Sequence, residues 1–321
     1  MPPVPNQRTS TLAFTMRVCI PRHDPRLRGM SMKFQKSLLK KFFYFINERH
    51  AIYLRRAAGE PYPWTKDPIL QKHRFCNVFR ELDKVTVWIR KNWREPYADH
   101  KNLAFSMAVA RQINLPATLK EFGFPKRWNP ERLMHVLADR MERGKRAYTG
   151  AYMLTGTLGG PKPLQTAFKI LDSLYRDPPK LVPGMSLEEA FNEYKGRPGF
   201  GPFMSYEVVT DLRYTRYLSN APDIMTWANA GPGAKRGLLR LQGLQVRGPD
   251  AVYRMPNDEA LEGMRELLKM VPDFVGDHVP LKDMDMRAIE HSTCEFDKMM
   301  RALNGEGVLE RFRTQKDGSL M

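Results

Sequence analysis

Cysteine is scarce. The chain carries three, Cys19, Cys76 and Cys294, far apart and with no CxxC pair. A cysteine-rich zinc knot or a four-cysteine iron–sulfur cluster is therefore not expected, and the spacing suits a reducing compartment. No apolar run approaches the ~20 residues that cross a bilayer, so no membrane partner is expected. The opening stretch, MPPVPNQRTSTLAF, lacks a cation-then-apolar leader pattern. The sequence GTLGGPK at 156–162 resembles a phosphate loop but does not satisfy GxxxxGK[ST], which leaves no nucleotide-binding P-loop. Convincing two-residue alternation of apolar and polar side chains is also missing, which argues against a sheet.

What the chain has in excess is positive charge. It holds 52 Lys+Arg against 35 Asp+Glu in 321 residues, a formal net charge of +17. Such a surplus favours nucleic acid or another anionic surface as partner. Hydrophobic residues make up 42% of the sequence, enough for a core. Apolar positions recur at helical spacing over 33–58, 69–91, 102–113, 164–175, 258–270 and 284–303, and the fold class expected is all-α. Asn129 followed by Pro130 marks a helix start, as does Thr65 or Asp67 before Pro68.

Two glycine turns precede apparent helices. The first is Pro198-Gly199-Phe200-Gly201-Pro202, between helices expected at 187–194 and 203–217. The second is Gly231-Pro232-Gly233-Ala234, followed by Lys235 and Arg236. A tight turn into a helix N-terminus exposes backbone N–H groups, a setting that favours anions. An ordinary packing loop is the alternative reading for each turn. On a basic chain the DNA-contacting candidates are Arg197, Gly199, Gly201, Gly231, Gly233, Lys235 and Arg236.

Read as one helix, 69–91 places Arg74, Asn77, Glu81 and Lys84 in a polar row closed by Trp88, either an ion-pair ladder or a functional face. On the helix after the first turn, Glu207, Asp211 and Tyr214 share a face. Asp223 lies some twenty residues beyond the turn, and its sequence context also suits a helix N-cap. His291 and Glu295, four apart, are two ligands at most and no metal site by themselves.

The blocks RFCNVFRELDKVTVWI, KRAYTGAYML, GFGPFMSYEVVTDLRYT, ANAGPGAKRGLLRL and EHSTCEFDK, in this order, resemble those of the bacteriophage alpha-glutamyl/putrescinyl thymine pyrophosphorylase families, including the amino acid:DNA transferases. The helical domain of the 5-hydroxymethyluracil DNA kinases is a relative. The first turn looks like the helix-hairpin-helix of DNA glycosylases. Residues 1–30, with several prolines and no helical period, are expected to form an extended arm; the resemblance implies a glycosylase-derived fold for the rest, a helical half over 31–180 and a second over 181–321 around a central cleft. It implies replacement of the (pyro)phosphate of 5-(pyro)phosphomethyl-deoxyuridine in double-stranded DNA by an amine, commonly a free amino acid such as glycine or serine, in the cytoplasm of an infected bacterium. Phe203 and Met204 stand where a glycosylase would place a lysine nucleophile, which argues against lyase chemistry.

That chemistry needs cations at the leaving group and a base for the amine. Lys235 and Arg236, or Arg74 and Lys84, could supply the first, with or without Mg²⁺. Asp211, Glu207, Asp223 and Tyr214 are the catalytic candidates. Arg74 or Arg213 would clamp the amino acid carboxylate, and Asn77, Glu81, Lys84 and Tyr152 complete the substrate-binding set. A DNA glycosylase acting on a modified base and a non-catalytic DNA-binding module remain as alternatives.

Overall fold

In the computed structural model, the described residues are 32–149, 158–246 and 255–306. All belong to one compact unit, residues 32–321. The expected N-terminal arm, Tyr152 and Cys19 lie outside the described residues.

The described residues form helices and connecting turns, and no strand. The order is α1 (Lys36–Ala57), α2 (Pro68–Lys72), α3 (Lys84–Ile89), α4 (Leu103–Ile113), α5 (Pro116–Phe122), α6 (Pro130–Glu142), α7 (Lys162–Leu164), α8 (Ser173–Arg176), α9 (Leu187–Tyr194), α10 (Pro202–Leu212), α11 (Pro232–Leu241), α12 (Asn257–Phe274) and α13 (Met286–Leu303). A π-helical turn, Arg90–Arg94, continues α3, and another, Gln165–Asp172, joins α7 to α8. No helix among the described residues is long and apolar enough to cross a membrane.

Start signals legible in the sequence act as expected. Asp67 accepts from the Ile69 and Leu70 N–H groups, and Asn129 from that of Arg132. Asp223 also caps a helix, though not one of its own. Its carboxylate accepts from the Leu187 and Glu188 N–H groups at 2.7 and 3.1 Å, closing the start of α9 from 35 residues away.

The core gathers Phe42, Phe43 and Ile46 of α1, Met107 and Ile113 of α4, Val208 of α10, and Ile289 and Phe296 of α13. Helix α13 packs against α1, α2, α11 and α12. Its contact with α11 is close because Gly233 and Gly237 lack side chains. A Cβ on Gly237 would overlap the Thr293 carbonyl, and one on Gly233 would overlap the Cys294 sulfur. Gly233, expected in the turn as a DNA contact, is therefore a helix-packing glycine inside α11.

The expected single helix over 69–91 does not form. After α2 the chain is extended through residues 73–79, then makes a short turn of 3-10 helix, Arg80–Leu82, before α3. The extended backbone finds partners outside itself, as buried peptide groups must. Arg49 of α1 donates to the Phe75 carbonyl at 3.2 and 3.0 Å, and Glu295 of α13 accepts from the Cys76 N–H at 2.9 Å. Asn77 turns the chain locally. Its N–H and side-chain amide both donate to Asp83, and the amide also donates to the Leu82 carbonyl. Such side-chain bonds compete with helix.

Candidate functional site

Helix α10 carries two buried carboxylates one turn apart. Asp211 is fully buried, and its two oxygens meet Arg111 of α4 in a bidentate pair, with Arg94 3.8 Å away. Arg111 also donates to Thr86 and Asn114, so its guanidinium is enclosed by acceptors. This geometry corrects the expectation for Asp211: the carboxylate ties α10 to α4 and has no surface to offer an incoming amine.

Glu207 has a different setting. It joins two arginines, Arg80 from the 3-10 turn and Arg287 of α13, the latter at 2.7 Å. Arg287 continues to Glu290 at 2.8 Å, and Arg80 lies 3.6 Å from Asp83. Beyond Asp83 stands His291, its Nε2 4.0 Å from Oδ2. Cys76 completes this flank; its sulfur, an Asp83 oxygen and a His291 nitrogen all lie within 4.8 Å of one another. Glu295 bridges the Cys76 N–H and Lys298, the latter at 3.1 Å.

The cluster is partly open. Cys76 is exposed to solvent. Several buried polar atoms here lack a hydrogen-bond partner: Asn77 Oδ1, Asp83 Oδ2, Arg287 Nε, His291 Nε2 and Ser292 Oγ. Native proteins leave few such atoms, so a concentration of them marks a place adapted to something besides folding.

The charges bear this out. Burial raises the Glu290 carboxyl to about 7, against the opposing pull of Arg287. Burial, with Arg287 and Arg80 nearby, drives the His291 imidazole well below its ordinary range and keeps it neutral. Burial and the neighbouring Glu295 and Asp83 carboxylates raise the Cys76 thiol, which is protonated at neutral pH.

The expected cationic row is dispersed. Asn77 is consumed by the turn, and Glu81 pairs with Arg94 and, at 3.4 Å, with Arg90, not with Lys84. Arg74 is half-buried and Lys84 exposed, each beside the cluster in sequence. The stretch 69–91 meets α10 through Arg80, which pairs with Glu207, not through the row Arg74, Asn77, Glu81 and Lys84. The Tyr214 ring lies close to the guanidinium groups of Arg94 and Arg213, 4.9 and 4.6 Å from its centre; burial raises its hydroxyl to about 12. Arg213 pairs with Asp285 at 2.8 Å, which corrects its reading as a carboxylate clamp.

The glycine turns also differ from each other. In the first, Gly199 has φ +74 and faces Ile170 so closely that no side chain fits, and Gln112 holds its carbonyl at 2.8 Å. Gly201 has φ −70 with open space around it, so any residue suits its backbone. Arg197 is bound to Asp177 at 2.6 Å and to the Glu193 carbonyl, a clamp within the fold. At the second turn, the Glu290 carboxylate is the near neighbour of Gly231, so one of the protein's own carboxylates sits where an anion was expected. Arg236 is paired with Asp297 at 2.8 Å, while Lys235 has no ion pair among the described residues.

The family described as the helical domain of 5-hmdU DNA kinase matches residues 36–308. The chain belongs to that family. A curated relative, the 5-hmdU DNA kinase of Bacillus phage SP10, is 28% identical over 285 residues, covering 79% of this chain and 44% of that protein. The chain thus spans under half of that relative's length. No solved structure matches at a significant level.

Of the expected catalytic residues, Glu207 lies in the open cluster, Asp211 and Asp223 pair within the framework, and Tyr214 stacks near Arg94 and Arg213. Arg80, Asp83, Arg287 and Glu290 were missed. Arg80 and Asp83 were hidden by the helical reading of 69–91. Arg287 lies just before the EHSTCEFDK block and Glu290 opens it, but both join the cluster only through tertiary packing.

Proposed function

We propose that this chain acts on a base derived from 5-hydroxymethyl-deoxyuridine in phage DNA, exchanging the (pyro)phosphate on its 5-methylene carbon for an amine, of which an amino acid is the favoured source. The observation that carries the reading is the open charged cluster, found within a family linked by name to this modified base, in a chain without a P-loop. In the reaction the amine nitrogen forms a bond to the methylene carbon, the carbon–oxygen bond breaks, the (pyro)phosphate leaves with that electron pair, and the ammonium so formed loses a proton.

The cluster suits the charge changes. Arg80 and Lys298 place positive charge near the flank that solvent reaches, which favours a departing phosphate. The Arg80–Glu207–Arg287–Glu290 chain holds these groups in fixed positions, so little reorganisation accompanies reaction. The N-terminus of α10, with Gly201 and Phe203 exposed, is the proposed contact for the DNA backbone. The target carbon lies on a base edge, so the base is expected to leave the stack.

Coverage favours one other reading. The chain matches under half of its kinase relative, which suits a module that binds the modified base for chemistry performed elsewhere. Incubating the protein with DNA bearing 5-pyrophosphomethyl-deoxyuridine and each amino acid, then weighing the nucleosides, separates the two. A nucleoside carrying the amino acid supports transfer. Tight binding with every nucleoside mass unchanged selects the module.

A further inference from the structure

We propose that Cys76, Asp83 and His291 bind one transition-metal ion of the zinc class, leaving a fourth coordination position open. Three kinds of donor converge from two elements distant in sequence. Cys76 lies within the extended segment, Asp83 directly follows its 3-10 turn, and His291 projects from α13. The three donor atoms lie within 4.8 Å of one another, and His291 Nε2 is 4.0 Å from Asp83 Oδ2. Around tetrahedral zinc, with bonds of ~2.0–2.3 Å, donor atoms sit roughly 3.3–3.8 Å apart, so a contraction of about 1 Å closes the site.

Two features distinguish this group from a chance cluster. Asp83 Oδ2 and His291 Nε2 are buried, and both lack a hydrogen-bond partner. The atoms behind the donors are already fixed: Asp83 Oδ1 accepts from the Asn77 N–H and side-chain amide at 3.0 Å each, and the Cys76 N–H is held by Glu295. Outer contacts of this kind orient metal ligands. On binding, the Cys76 thiol would yield its proton to the ion. The nearby cations Arg49, Arg80, Arg287 and Lys298 are answered by Glu207, Glu290, Glu295 and Asp83, so a divalent ion does not meet an unbalanced positive field. Arg80, 3.6 Å from Asp83, keeps Glu207 as a partner when a metal takes that oxygen. Cysteine with histidine favours zinc over magnesium or calcium, and three protein ligands with one vacant position is the pattern of a reactive rather than a sealed structural site.

The inference stands without the substrate reading, and so does its test. Metal-free protein is titrated with Co²⁺ and followed by absorption spectroscopy, with circular dichroism to monitor folding. One equivalent should bind, with intense near-ultraviolet thiolate-to-cobalt absorption and the visible bands of a four-coordinate ion, and Zn²⁺ should displace it. Cys76→Ser should abolish the near-ultraviolet band, whereas Cys294→Ser and Cys19→Ser should keep it. Asp83→Asn and His291→Gln should each weaken binding about tenfold or more. Folded wild-type protein showing only the spectrum of hydrated cobalt would overturn the proposal without any variant. A thiolate band that follows Cys294 or Cys19 instead of Cys76 would overturn it equally.

Discussion

Glu207 and Asp211 sit one turn apart on α10, both buried and both paired with arginine, yet they belong to different kinds of place. Around Asp211 the charges are closed: a bidentate pair with Arg111, whose other N–H groups meet Thr86 and Asn114, and no exposed surface. Around Glu207 the charges form a chain, Asp83–Arg80–Glu207–Arg287–Glu290, that ends near an accessible cysteine and polar atoms without partners. A buried charge is thus no sign of chemistry by itself. What separates framework from site is whether the hydrogen-bonding capacity of the group is exhausted.

The strongest way to break this contrast is to remove each carboxylate in turn. Asp211→Asn leaves Arg111 buried with neutral partners only, and should cost about 3–5 kcal/mol of stability. Glu207→Gln leaves Arg80 with Asp83 and Arg287 with Glu290, and should cost about 1–3 kcal/mol. Urea denaturation measures both, and equal losses would erase the distinction.

The glycine turn offers a smaller contrast. Gly199→Ala forces a side chain into a positive-φ position against Ile170 and should destabilise by roughly 1–3 kcal/mol. Gly201→Ala meets open space and an ordinary backbone angle, and should stay within about 0.5 kcal/mol of wild type.

The paired and unpaired cations of α11 provide a third. Lys235→Ala should reduce the magnitude of the salt slope of DNA binding by about one, the value for one phosphate contact. Arg236→Ala should leave the slope nearly unchanged, because its guanidinium already belongs to Asp297. Affinity measured across a salt series decides this.

The smallest effect concerns pH. Burial and the nearby His278 and Arg49 hold the His50 imidazole below its ordinary 6.5. The native state therefore disfavours the protonated ring. The stability this contributes is present above pH 6.5 and is lost as pH falls through the folded value. His50→Phe, which keeps a ring against Phe79, should flatten the fall in stability between pH 7 and 5.

Local signals were legible in the sequence where side chains act on their own neighbours. The caps at Asp67 and Asn129 and the helical periods of α1, α4 and α13 needed no tertiary information. The 69–91 stretch was misread because Phe75, Val78, Phe79 and Leu82 fit a helical period, while long-range bonds from Arg49 and Glu295 settle the backbone as extended. The same error concealed Arg80 and Asp83. Cys76 and His291 lie more than 200 residues apart, so no spacing rule could join them. Asp211 was singled out by its helical face, and only the partner it meets, Arg111, reveals a framework role.

The account's central claim is that the open cluster, rather than the closed pair, handles the modified base. The direct test is nucleoside mass spectrometry on pyrophosphorylated DNA incubated with amino acids and either wild-type protein or His291→Gln, at protein concentrations that saturate the DNA. The account predicts an amine-bearing nucleoside with wild type and its loss with His291→Gln while DNA affinity persists. An undiminished yield from that variant would contradict it.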